Sequence, residues 1–139
     1  MQWEIIDKSQ YFKGLLLLIG KDKKITAEEK KYIMKVGKTL GFEKVFCENA
    51  IDELLDNPYL GDEPPKFSER IIAESFIKDG MKTAIVDKDI DPMELEWLKN
   101  VANENSLGET WFMKNLQEII KNHPKSLSEN ELEVAELIK

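Results

Sequence analysis

The chain has 139 residues, the usual size of one domain, and its 42% hydrophobic and 34% charged residues are too apolar for a disordered chain and too charged for a membrane protein. Its net charge of −7 repels phosphate backbones, which makes nucleic acid a poor partner. Cys47 is the one cysteine and His123 the one histidine. Their number excludes an intramolecular disulfide and a zinc site of the Cys/His type, and a lone thiol suits a reducing, cytoplasmic setting.

The start, Met1-Gln2-Trp3-Glu4, lacks the basic residues and long apolar stretch of a signal peptide. The longest apolar run, Leu15 to Ile19, is five residues against the roughly 20 of a membrane-spanning helix, and neither end carries a lipidation motif. The expectation is a cytoplasmic protein with no membrane span.

Helical periodicity runs through the chain and no strand pattern competes with it. Phe12, Leu15, Leu16, Leu18 and Ile19 form a first buried helix, with Ser9 as its N-cap. A second runs from Ala27 to Leu40, with Ile33, Val36 and Leu40 on one face, Lys30, Lys31, Lys35 and Lys38 on a solvated one, and Gly41 as its C-terminal cap. A third covers Lys44 to Asp56, carries Val45, Phe46, Ile51, Leu54 and Leu55, and stops at Asn57-Pro58. Pro58 to Lys66, with Gly61, Pro64 and Pro65, is the clear break in the chain.

Ser68-Glu69 opens a fourth helix bearing Ile71, Ile72, Phe76, Ala84 and Ile85, with Asp79-Gly80 as a weak point able to kink or interrupt it. A fifth starts near Pro92, since proline is tolerated in a first turn, and presents Leu95, Leu98, Val101 and Ala102. Gly108 to Asn122 makes a sixth with Trp111, Phe112, Leu116, Ile119 and Ile120, and Glu129 to Ile138 a seventh. Trp97, Trp111 and Phe112 stand at core spacing, Trp3 covers one end, and Met34, Met81, Met93 and Met113 read as core filler. Cys47 reads as a buried small hydrophobe, because no histidine lies near it in the sequence.

The two halves repeat. At an offset of 65, Asp22-Lys23-Lys24-Ile25-Thr26-Ala27-Glu28-Glu29 pairs with Asp87-Lys88-Asp89-Ile90-Asp91-Pro92-Met93-Glu94, and Ile33, Val36, Gly37 and Phe42 pair with Leu98, Val101, Ala102 and Leu107. An internal duplication accounts for this. The expected architecture is all-α, about seven helices in a single bundle-like domain over 1–139, with pseudo-repeats of helical hairpins at about 10–57 and 67–107 and C-terminal helices at about 108–139.

The doubled pattern of an acid, then Ile three places on, then Thr or Asp, then Glu three places further, each time before an amphipathic helix, resembles the TerB-like family of tellurite-resistance proteins and DnaJ-type cochaperone N-terminal domains. The resemblance covers about Gln10 to Leu107. It implies an all-helical fold and a non-catalytic interaction or scaffold role, with a link to stress response. Lys23 and Lys88 stand where that family commonly has glycine, which departs from its tight Asp-Gly turn.

Neither copy is an EF-hand. With Ile25 and Ile90 at the eighth loop position, Glu29 and Glu94 fall at the twelfth, but the first and third positions become Leu18 and Gly20, or Thr83 and Ile85, and offer no carboxylates. Leading the second copy with Asp87, Asp89 and Asp91 puts Pro92 at the glycine place and Leu98 at the glutamate place. Thr26-x-x-Glu29, Asp91-x-x-Glu94 and Ser128-x-x-Glu131 read as capping boxes, with staples from Ile90 to Leu95 and from Leu127 to Leu132, and each box stabilises its helix by about 1 kcal/mol.

Beyond capping, Asp87, Asp89, Asp91 and Glu94 set four carboxylates within eight residues against Lys88, an oxygen-only set suited to weak binding of Ca²⁺, Mg²⁺ or Mn²⁺. Asp22 and Glu29 are the poorer equivalent, since Lys21, Lys23 and Lys24 neutralise Asp22. No glycine-rich phosphate loop, Ser/His/Asp set or paired-acid motif is present, so no catalytic residue is assigned and a protein partner is expected. Two other readings stay open: a metal-dependent enzyme using the Asp87 to Glu94 carboxylates, and a helix-groove peptide-binding protein with an apolar cleft between the halves.

Overall fold

An unbroken apolar stretch places the first helix at the centre of the molecule. In the computed structural model, which describes residues 3–20, 25–56, 63–84, 92–122 and 137, helix α1 spans Ile5–Ile19. Tyr11, Phe12 and all of Leu15 to Ile19 are buried on it, as is Gly14, so the last six residues of the helix are enclosed on every side, while Ile5, Ile6, Ser9 and Lys13 in its first part are exposed. It touches the second, third, fourth and fifth helices.

α1 starts four residues before the expected N-cap, Ser9. Glu4 holds the N-cap position in extended backbone without a side-chain bond, so propensity at the cap does not set this end. Tertiary contact does: buried Asp7 accepts hydrogen bonds from the Ser68 amide at 2.9 Å and the Ser68 hydroxyl at 2.6 Å, tying the first turn of α1 to the chain just before the fourth helix. That fourth helix consequently begins at Arg70, two residues after Ser68.

The remaining helices are α2 (Ala27–Leu40), α3 (Lys44–Asp56), α4 (Arg70–Ala84), α5 (Pro92–Glu104) and α6 (Glu109–Asn122). The described residues form no strand, and the fold is all-α as the periodicity requires. α2 turns Tyr32, Ile33, Val36, Gly37 and Leu40 inward and leaves Lys30, Lys31, Lys35 and Lys38 in solvent. Trp3, Trp97 and Phe112 are buried and Trp111 is half-buried, whereas Met93 and Met113, expected as core filler, are exposed. Met93 sits in the first turn of α5 and Met113 on the outer face of α6, where their neighbours Leu98, Phe112 and Leu116 already fill the interior. Of the expected seventh helix only Leu137 is described, half-buried against the core; the rest of Glu129 to Ile138 lies outside the described residues.

The duplication read from the helix starts extends over three helices. α4, α5 and α6 begin 65 residues after α1, α2 and α3 respectively, so that α6 is the counterpart of α3. The same packing recurs as well: α1 on α2 and α2 on α3, then α4 on α5 and α5 on α6, with α1 against α4 joining the units.

Both second helices end in the same way. The Phe42 amide donates to the Gly37 carbonyl at 2.9 Å and the Leu107 amide to the Ala102 carbonyl at 2.9 Å, the long-range bond of a Schellman cap. The residue turned into left-handed backbone is Gly41 (φ +94°) in one copy and Ser106 (φ +61°) in the other. Serine carries a Cβ penalty there of about 1 kcal/mol that glycine avoids. Ser106→Gly is therefore expected to raise stability by about 0.5 kcal/mol or more in urea unfolding, and Gly41→Ala to lower it by about 1 kcal/mol. Equal midpoints for Ser106→Gly and the parent chain would count against this account of the cap.

Asp79-Gly80 does not break α4. Both residues are buried mid-helix, and a Cβ on Gly80 would meet Leu98 Cδ2 at 2.5 Å, so the absent side chain lets α5 approach. Packing against α5 offsets the roughly 1 kcal/mol that glycine costs inside a helix.

Candidate functional site

Three groups of residues bear on function. The first is the acidic pattern before α2 and α5. Asp22, Asp87, Asp89 and Asp91 lie outside the described residues. Glu29 is committed to its helix: Thr26 N–H donates to Glu29 Oε1 at 3.0 Å and Glu29 N–H to Thr26 Oγ1 at 3.1 Å, a complete capping box. Glu94 occupies the matching place in the first turn of α5 and is buried. Among the described residues no three Asp, Glu, His or Cys side chains converge as a metal-binding group.

The second group is a polar knot in the middle of the bundle. The Tyr11 hydroxyl on α1 donates to Asp79 Oδ2 on α4 at 2.5 Å and stands 2.9 Å from Ser75 Oγ. The Asp79 backbone carbonyl accepts from Tyr32 Oη at 3.2 Å and from Thr83 Oγ1 at 3.0 Å. Burial, and then the adjacent Asp79 carboxylate, hold the Tyr11 phenol well above its usual range, so it stays a protonated donor. Tyr11 and Asp79 are fully enclosed, which makes the knot a clamp between α1, α2 and α4 with no route for a substrate.

The third group lies on the surface between α2 and α3. A groove of about 580 Å³ has Met34, Phe42 and Cys47 as its apolar lining and Lys31, Lys35, Lys38 and Lys44 around it. Phe42 and Phe46 pack with ring centroids 5.2 Å apart, backed by buried Phe12. Phe46 is 53% and Val45 66% exposed, so apolar surface continues from the groove onto the outer face of α3. Periodicity names Val45 and Phe46 among the apolar residues of this helix without assigning either to a face. Unlike the end of α1, α3 is buried along one side, through Cys47 and Ile51, so Val45, Phe46 and Cys47 in succession cannot all take that side when each step turns the helix by about 100°. Cys47 takes the inward place, buried beside Gly37, where an added Cβ would collide with its sulfur.

Burial and then the neighbouring Glu48 push the Cys47 thiol up. Its position is that of an inert lining residue and not of an activated nucleophile. A second depression, between α1 and residues 63–68, contains Asp7 and Ser68, whose polar atoms already bond each other to fix the start of α4.

Among the described residues no helix is long and apolar enough to cross a membrane. No protein-family model, curated protein or solved structure matches the chain.

Proposed function

We propose that the chain is a non-catalytic interaction module of the TerB-like kind, acting through its surface rather than through an enclosed site. The observation that carries this reading is the division of labour between interior and surface. The best-organised polar groups, Tyr11, Ser75 and Asp79, are buried and hydrogen-bond one another, while two large apolar side chains, Val45 and Phe46, face solvent beside a groove. Exposed contiguous apolar surface next to polar residues is the pattern of a binding face. The TerB-like part of the reading rests on the helix-start motif repeated in each half of the sequence.

Capture from native lysate by the tagged full chain tests the role. A Val45→Asp, Phe46→Asp variant that keeps the parent's far-UV circular dichroism is expected to lose the captured partner. Retention of every captured protein by that variant would remove the basis for placing the binding face here.

A weak divalent-cation site in Asp87 to Glu94 belongs to the same proposal and rests on its four carboxylates. Titration calorimetry with Ca²⁺, Mg²⁺ and Mn²⁺ at millimolar ion is expected to give heat for at least one ion, reduced by Asp87→Asn with Asp91→Asn. No heat with any of the three would dispose of the site.

A further inference from the structure

The α2–α3 groove differs from its surroundings in charge as well as polarity. Lys31, Lys35 and Lys38 stand at i, i+4 and i+7, one stripe of α2, and Lys44 marks the start of the facing helix. Lys44 is 3.9 Å from Glu48. Among the described residues no carboxylate pairs with Lys31, Lys35 or Lys38. In a chain of net charge −7, four lysines around one apolar groove are a local reversal of the overall field.

Resting on the interaction reading above, we infer that this groove receives an acidic amphipathic helix from a protein partner. Its apolar stripe would lie on Met34, Phe42 and Phe46, and its carboxylates would reach the lysine rim. The dimensions agree: the stripe from Lys31 to Lys38 is about 10 Å long, roughly two turns of a partner helix, and Val45 and Phe46 prolong the apolar surface beyond it. A small carboxylated ligand would use the groove and leave Val45 and Phe46 uncovered. An anionic membrane is disfavoured because Met34 and Cys47 line a recess instead of projecting, and because the net charge of −7 opposes approach to such a surface.

The test uses the full chain and a fluorescein-labelled 14-residue peptide, roughly four turns, with leucines at i, i+3, i+4 and i+7 and glutamates elsewhere. A peptide with lysine in place of each glutamate, and vesicles of phosphatidylserine and phosphatidylcholine, run beside it. Anisotropy is expected to show saturable binding of the acidic peptide only, weakening as salt is raised. Lys35→Glu with Lys38→Glu is expected to weaken binding about tenfold or more, as two lost charge contacts imply. The charge-matched Lys114→Glu, Lys121→Glu pair on α6 should change it less than about twofold. Phe46→Ala should weaken it without altering the salt dependence. Absent binding, equal binding of the lysine peptide, equal loss in both charge-reversed variants, or binding to the vesicles in place of the peptide would each overturn the inference. So would sedimentation showing that a second copy of the chain occupies the groove. If lysate capture remains sensitive to Phe46 while the acidic peptide fails, the interaction reading stands and this inference alone falls.

Discussion

Tyr11→Phe is expected to lower stability by about 2 kcal/mol near neutral pH, although it deletes one oxygen and leaves the ring in place. The lost hydroxyl donates to Asp79 Oδ2 at 2.5 Å and is 2.9 Å from Ser75 Oγ, in a region with no solvent access. A buried carboxylate that loses such a donor keeps its desolvation cost and recovers nothing from water. The pH dependence separates this from simple packing loss. Because the folded chain holds the Tyr11 phenol well above the ordinary value of 10.0, the unfolded chain releases its proton first as pH rises. The contribution is intact below the ordinary value and declines above it, so the parent should lose stability on the alkaline side more steeply than Tyr11→Phe. Urea unfolding followed by circular dichroism at neutral pH and above pH 10 measures both effects. Parallel alkaline slopes with unchanged midpoints would refute the clamp.

The elements best read from sequence are those whose signals are local. α2 and α3 fall where cap and proline signals put them, because Thr26, Glu29 and Gly41 each satisfy backbone groups within their own turn. The start of α1 was not legible, since it depends on Asp7 reaching residue 68 across the fold. The continuity of α4 through Gly80 depends likewise on Leu98 of α5. The Tyr11–Asp79 clamp joins residues 68 positions apart and leaves no periodic trace. The groove was half legible. Its lysine stripe reads as a solvated face and its apolar lining as core, and only the placement of α3 beside α2 turns the two into one surface. The acidic segments before α2 and α5 stood out most plainly, and among their described members Glu29 serves its own helix cap.

Phe76→Ala is expected to cost about 3–5 kcal/mol, a large share of the 5–15 kcal/mol by which domains of this size are usually stable. Phe76 is fully buried, with ring centroids 5.4 Å from Tyr11, 5.3 Å from Phe67 and 6.2 Å from Trp97, so truncation empties the junction of the two three-helix units. Gly14 of α1 supplies an internal control. A Cβ added there would stand 2.7 Å from Phe76 Cζ, so Gly14→Ala alone should be destabilising by about 1 kcal/mol, overpacking outweighing the gain in helix propensity. With Phe76 reduced to alanine the ring contacts at 2.7 and 2.8 Å are gone and Pro65 Cγ, at 3.0 Å, stays as a close neighbour that has to shift by a few tenths of an ångström, which the vacated space allows, while the added methyl improves the helix. Gly14→Ala should then be neutral or stabilising, giving a coupling of about 1–2 kcal/mol between the sites. Urea unfolding of the two single variants and the double variant closes the cycle. Additive losses, or a Phe76→Ala cost below about 1.5 kcal/mol, would mean that α1 and α4 do not meet through this ring and that the junction relaxes around its removal.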